Sequence, residues 1–91
     1  MNSSNLSGAV VSVHAVSEIR RRALPVEEVA RALAEPDQVV SVRPGRVVLH
    51  RKYSSGGREY LLRVFVDVDP KPPVVVTLYR TSKIQKYWST A

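Results

Sequence analysis

The sequence predicts an α+β fold in which two N-terminal helices pack on a four-stranded antiparallel sheet. Three observations predict it. Apolar residues recur at helical spacing between Ser12 and Leu33, and from Gln38 onward the period changes to two. The alternating runs are Val-rich and are broken by turn-forming residues at Pro44-Gly45, at Ser54-Ser55-Gly56-Gly57 and at Asp69-Pro70-Lys71-Pro72-Pro73. A chain of 91 residues is long enough for one hydrophobic core and too short for two, so both patterns must serve a single domain.

Taken in order, residues 1–10 hold Ser, Asn and Gly without a period and read as a flexible tail, leaving 11–91 as the folded domain. Ser12 suits the N-cap of a first helix, and Val13, Val16, Ile19 and Ala23 continue it to about Leu24. At 100° per residue, His14, Glu18 and Arg21 gather on the face opposite Val16 and Ile19. Pro25 fits the first turn of a second helix, where Val26, Val29, Ala30 and Leu33 follow the i, i+3, i+4, i+7 rule and Glu27 and Glu28 complement the helix dipole. Pro36 stops that helix. Gln38 to Arg43 and Arg46 to Tyr53 then form a hairpin across Pro44-Gly45. In the next and longest strand, Tyr60, Leu62, Val64, Val66 and Val68 alternate with Leu61, Arg63, Phe65 and Asp67. Val74 to Arg80 is almost continuously apolar, as a strand covered on both faces would be.

Composition narrows the function classes. The chain has no cysteine, so disulfides and thiolate metal sites are excluded, and an intracellular address fits best. The N-terminus lacks the basic region of a signal peptide, and no apolar run approaches the roughly 18 residues a membrane helix needs; the expectation is a soluble cytoplasmic protein with no membrane partner. Fourteen Lys and Arg against eight Asp and Glu give a formal charge of +6 and a pI near 10.2. Beyond Asp69 every charged side chain is a cation: Lys71, Arg80, Lys83 and Lys86. Such a distribution attracts polyanions, RNA among them. There is no Gly-rich phosphate loop and no His-Glu-x-x-His, and His14 and His50 are the only histidines. Asp67 and Asp69 read as solvated residues at a strand end rather than as Mg²⁺ ligands, so neither metal nor cofactor is expected.

His14 carries the imidazole suited to proton transfer near neutral pH; the alternative is a surface histidine packed against Glu18. Arg20, Arg21 and Arg22 spread around the first helix. Arg22 lies about 80° from His14 on the wheel, and an arginine beside a histidine can grip a phosphate and stabilise charge building on phosphorus. Helix-surface solubility is the competing reading. The stretch from Leu78 to Trp88 interleaves cations, aromatics and hydroxyls, the mixture that binds phosphates and unstacked bases. Tyr87 and Trp88 equally suit a cap on the core, and the core is the expected place for Trp88.

In order and spacing these residues resemble the DUF4258 family, grouped with the RelE-like and BrnT-like toxins among the barnase, EndoU, colicin and RelE proteins. The likeness rests on His14, Arg22 and Leu24, on the run Glu27-Glu28-Val29-Ala30-Arg31-Ala32-Leu33, and on Glu35-Pro36-Asp37. It continues in Val76-Thr77-Leu78-Tyr79 and Lys83-Ile84-Gln85-Lys86-Tyr87, so that it covers roughly 12–88. The sequence departs from the family pattern at Glu18, where a second arginine is usual. The resemblance implies a RelE-like fold and a metal-independent endoribonuclease. It also implies the toxin half of a toxin–antitoxin pair, with RNA as substrate and a cognate antitoxin as partner. On that reading His14 is the acid or base, Arg22 and Lys83 stabilise the phosphate, and Tyr79 assists proton transfer. Arg21, Arg58, Arg80, Lys86 and Tyr87 contact RNA. A non-catalytic RNA-binding or protein-interaction module on the same fold is the alternative, and Glu18 favours it.

Overall fold

The computed structural model describes residues 5–90 and folds them into one five-stranded mixed sheet with three short helices. The elements run β1 (Val10–Val11), α1 (Val13–Arg21), α2 (Val26–Ala34), β2 (Gln38–Arg43), β3 (Arg46–Ser55), β4 (Arg58–Asp67), β5 (Val74–Thr81) and α3 (Ile84–Tyr87). The sheet order is β1-β5-β4-β3-β2. Four strands from β2 to β5 are an antiparallel meander, and β1 joins its edge parallel to β5, with Val10 opposite Val74 and Val11 opposite Val75.

This corrects the expectation of two N-terminal helices on a four-stranded antiparallel sheet. A strand precedes the helices, the sheet is mixed, and a third helix follows β5. The two-residue β1 is too short to show a period, and its pairing joins segments more than 60 residues apart. Of the expected tail 1–10, residues 1–4 lie outside the described residues. Leu6 packs against the core and its N–H donates to the Leu33 carbonyl at 2.6 Å, at the end of α2.

Local chemistry explains the helices. The Ser12 hydroxyl accepts from the Ala15 N–H at 3.1 Å and caps α1, while its own hydroxyl donates to the Val76 carbonyl at 3.3 Å, tying the helix start to β5. At the other end Ala23 adopts φ 52°, and the N–H groups of Ala23 and Leu24 return to the carbonyls of Arg20 and Ile19. This is a Schellman stop with alanine in the left-handed position that glycine usually takes, so the sequence shows no glycine to announce it. In the β2–β3 hairpin Gly45 takes φ 85°, and a Cβ there would meet the Asp69 carboxylate at 2.6 Å.

Helices α1 and α2 cover one face of the sheet. Ala15, Leu24, Val29, Ala32 and Leu33 from the helical layer meet Leu49, Tyr53, Leu62, Val64, Val66, Val75 and Leu78 from the strands. Alternation along each strand turns the neighbouring residues to the opposite face, hereafter the open face. There the cross-strand pairs are Gln38–His50, His50–Arg63 and Arg63–Tyr79 in one row, and Val48–Phe65 and Phe65–Thr77 in the next.

Candidate functional site

The row across the open face places four polar side chains from four strands side by side. Gln38 stands on β2, His50 on β3, Arg63 on β4 and Tyr79 on β5. His50 is fully buried. The Arg63 guanidinium links the row: its Nε donates to His50 Nε2 at 3.1 Å and its Nη1 to the Tyr79 hydroxyl at 2.5 Å. Three rings surround it, with its central carbon 4.2 Å from the Tyr87 centroid, 5.1 Å from Phe65 and 5.6 Å from Tyr79. Such a cage holds a cation by its quadrupoles without neutralising it. Arg63 forms no ion pair among the described residues, although Arg21, Arg22, Arg31, Arg46 and Arg51 all do.

The C-terminal segment lies over this row. Tyr87 on α3 meets Tyr79 edge-on at 6.3 Å, and Trp88 stacks on His50 at 6.3 Å with Lys52 Nζ 3.9 Å above its ring. Trp88 is therefore half-buried on the open face, not in the main core. Burial first, and the Arg63 charge second, push His50 down to about 4, so the imidazole is neutral at physiological pH. Tyr87 is lowered from the usual phenol range, first by hydrogen bonding with Tyr79 and then by the Lys86 charge.

The residues named from sequence divide between this face and the rest of the molecule. Tyr79 and Tyr87 belong to the Arg63 cage. Lys86 Nζ is 5.3 Å from the Tyr87 centroid, and Lys83, exposed, precedes α3 with its N–H donating to Thr81 Oγ1. His14 also reaches this region: its Nε2 lies 3.2 Å from Thr77 Oγ1, two residues along β5 from Tyr79.

Arg21 and Arg22 stand apart from it. The Glu18 carboxylate accepts from both, at 2.7 Å in each case, and is held down at about 2 by those hydrogen bonds, Arg21 first. Arg22 is eight residues from His14, about 12 Å along a helix axis. Proximity on a wheel is thus not proximity in space. Arg20 and Arg21 instead border a groove of about 570 Å³ floored by Val11, Val13 and Val16. Arg80 points to the helical face, 4.0 Å from the Tyr60 centroid and 3.4 Å from the Tyr53 hydroxyl. Arg58 begins β4 at the hairpin end, on the same side as Tyr60 and Leu62.

Sequence reasoning did not single out Arg63 or His50 as site residues. Arg63 reads as the polar half of a β alternation, and its partners come from β3, β5 and α3. One signal was available: an arginine set in the otherwise apolar run from Leu61 to Val66. Asp67 is engaged by Arg46 at 2.6 and 3.1 Å and is lowered chiefly by that pairing. Among the described residues no three His, Asp or Glu side chains gather as a metal would require, and no helix is long and apolar enough to cross a membrane.

The family model for a domain of unknown function, DUF4258, matches residues 11–80, which run from within β1 to β5 and stop before α3. No curated protein and no solved structure matches the chain.

Proposed function

The chain belongs to the DUF4258 family, and from the open face we propose that it binds single-stranded RNA there and cleaves it without a metal, as a RelE-like or BrnT-like toxin restrained by an antitoxin. The observation that supports this best is Arg63, a cation caged by three rings and without an ion pair among the described residues, under a C-terminal segment that carries the exposed Lys83 and Lys86. Rings and cations on one surface suit a polymer of phosphates and unstacked bases.

In the proposed reaction a ribose 2′-hydroxyl loses its proton to a side-chain base and attacks the adjacent phosphorus. The bond from phosphorus to the 5′-oxygen breaks, that oxygen takes up a proton, and a 2′,3′-cyclic phosphate remains. Arg63 would stabilise the charge on the phosphoryl oxygens, in place of Arg22, which Glu18 holds. His14 and Tyr79 are the proton-transfer candidates on the same strand surface.

The test is to incubate the pure protein with a mixed-sequence single-stranded RNA in EDTA. Cyclic-phosphate ends are expected, and His14→Ala should slow their formation by on the order of 10²- to 10⁴-fold with little change in affinity. Activity lost in EDTA and restored by Mg²⁺ would overturn the metal-independent reaction. A non-catalytic RNA-binding module is the second reading, favoured by the neutralisation of Arg21 and Arg22 by Glu18; binding without cleavage, with or without ribosomes, would establish it.

A further inference from the structure

The Arg63 guanidinium is held by a chain of hydrogen bonds whose direction is set by main-chain groups. Ser89 presents both of its backbone groups to the Gln38 side chain: its N–H donates to Oε1 at 3.1 Å, and its carbonyl accepts from Nε2 at 2.6 Å. A backbone N–H can only donate and a carbonyl can only accept, so the Gln38 amide has one permitted orientation. That orientation turns Oε1, an acceptor, toward His50 Nδ1 at 3.0 Å. The imidazole must then carry its proton on Nδ1, leaving Nε2 bare. A bare Nε2 is what the Arg63 Nε–H requires as an acceptor, at 3.1 Å. With Nε held by His50 and Nη1 by Tyr79, the guanidinium cannot swing, and its remaining N–H donors are left for a ligand.

We propose that His50 is a positioning residue: through the Ser89–Gln38–His50 chain it fixes Arg63 in the orientation that grips a phosphate of bound RNA. The phosphate role rests on the function proposed above; the fixing of Arg63 does not. Trp88 stacks over the imidazole, which is fully buried. The charged and titratable groups on this side of the sheet are Arg63, Glu59 and Asp67 on β4, Lys52 and Arg46 on β3, with Arg46 paired to Asp67, Tyr79 on β5, His14 on α1 against Thr77, and Tyr87 and Lys86 on α3. Asp37, next to Gln38, gives its carboxylate to the Lys52 N–H at 2.8 Å and lies 4.0 Å from Arg51. Protonation of His50 would replace the acceptor of Arg63 with a like charge.

Two substitutions separate positioning from packing. His50→Gln restores an amide oxygen at the reach of Nε2, whereas His50→Phe keeps a ring under Trp88 and removes the acceptor. Cleavage of the mixed-sequence RNA should fall about 10- to 100-fold in kcat for His50→Phe, with KM little changed, and His50→Gln should recover most of it. Equal losses in both variants, or wild-type rates in both, would overturn the proposal. A readout that needs neither RNA nor a stable variant is nitrogen NMR of the wild-type protein at neutral pH. The expected spectrum has His50 protonated at Nδ1 alone and a slowly exchanging Arg63 Nε–H. A proton on His50 Nε2 would overturn the relay even if the enzyme cuts RNA. The expected spectrum without any RNA cleavage would uphold the relay and overturn the ribonuclease reading instead.

Discussion

The two faces of the sheet are made by the same strands and have opposite chemistry. On the helical face Leu49, Leu62, Val64, Val66 and Leu78 interlock with α1 and α2, and Arg51 at its margin meets the Glu28 carboxylate at 3.3 Å. On the open face Val48 and Leu61 are buried, yet the centre is the row of Gln38, His50, Arg63 and Tyr79 under a short C-terminal cover. Arg63 and Lys52 there lean on rings, while Arg46 at the far end of the same strands meets the Asp67 carboxylate; on the helical face Arg80 also leans on a ring, that of Tyr60. Compensated charge makes a surface inert, while charge held in place but not neutralised remains available to an anion. Because residues alternate between the faces, stability and binding can be addressed at adjacent positions of one strand.

The largest effect should separate Leu62 from its neighbour Arg63. Leu62→Ala opens a cavity in the core and should cost about 2–5 kcal/mol by denaturant unfolding. Arg63→Ala should cost less stability, about 1–2 kcal/mol, because it leaves the buried His50 Nε2 without its donor, while weakening RNA cleavage on the order of 10²-fold. Equal loss of stability in both variants would erase the distinction between the faces.

Acid should strain the open face next. His50 titrates near 6.5 when unfolded and is lowered to about 4 when folded, so between those values the unfolded chain binds a proton that the folded chain refuses. The stability due to neutral His50 is complete above about pH 6.5 and declines as pH falls to about 4, by up to ~3 kcal/mol. Glu18 and Asp67 add their own acid losses, in the direction set by their arginine partners. His50→Gln removes only the histidine component, so its stability should fall less steeply than wild type across this window. Parallel curves would show that the imidazole is not excluded from charge.

The smallest effect concerns the outer cations. Lys83→Ala with Lys86→Ala should flatten the slope of log affinity against log salt by up to about 1.4, at about 0.7 per single-strand phosphate contact. Replacing Arg58 and Arg80, which lie toward the helical side, should leave the slope in place. If the second pair flattens it instead, RNA runs over the other face.

Much of the element order was legible because its causes are local. Helical spacing marks Val26, Val29, Ala30 and Leu33; alternation marks β4; and Pro44-Gly45 marks the hairpin, with Gly45 at φ 85°. His14, Tyr79, Lys83, Lys86 and Tyr87 stand out by residue type and share the open-face region. Local patterns did not supply β1, whose two residues gain meaning only from Val74 and Val75, nor the stop of α1, where Ala23 takes a glycine-like φ. They placed Arg22 by its angle alone and omitted its distance from His14, and they sent Trp88 to the core instead of onto His50.

What residue order determined by itself is therefore the alternation that gives each strand one face for the core and one for polar groups, together with the basic, aromatic C-terminal stretch. Tertiary structure alone decided that Arg63 is caged by rings and not paired with a carboxylate among the described residues. Glu18 pairs with Arg21 and Arg22 within one helix, but Arg63 acquires its partners from β3, β5 and α3. Neighbours along the chain follow from a repeat of two or 3.6 residues, whereas neighbours across a sheet depend on strand order and register, which no local period encodes.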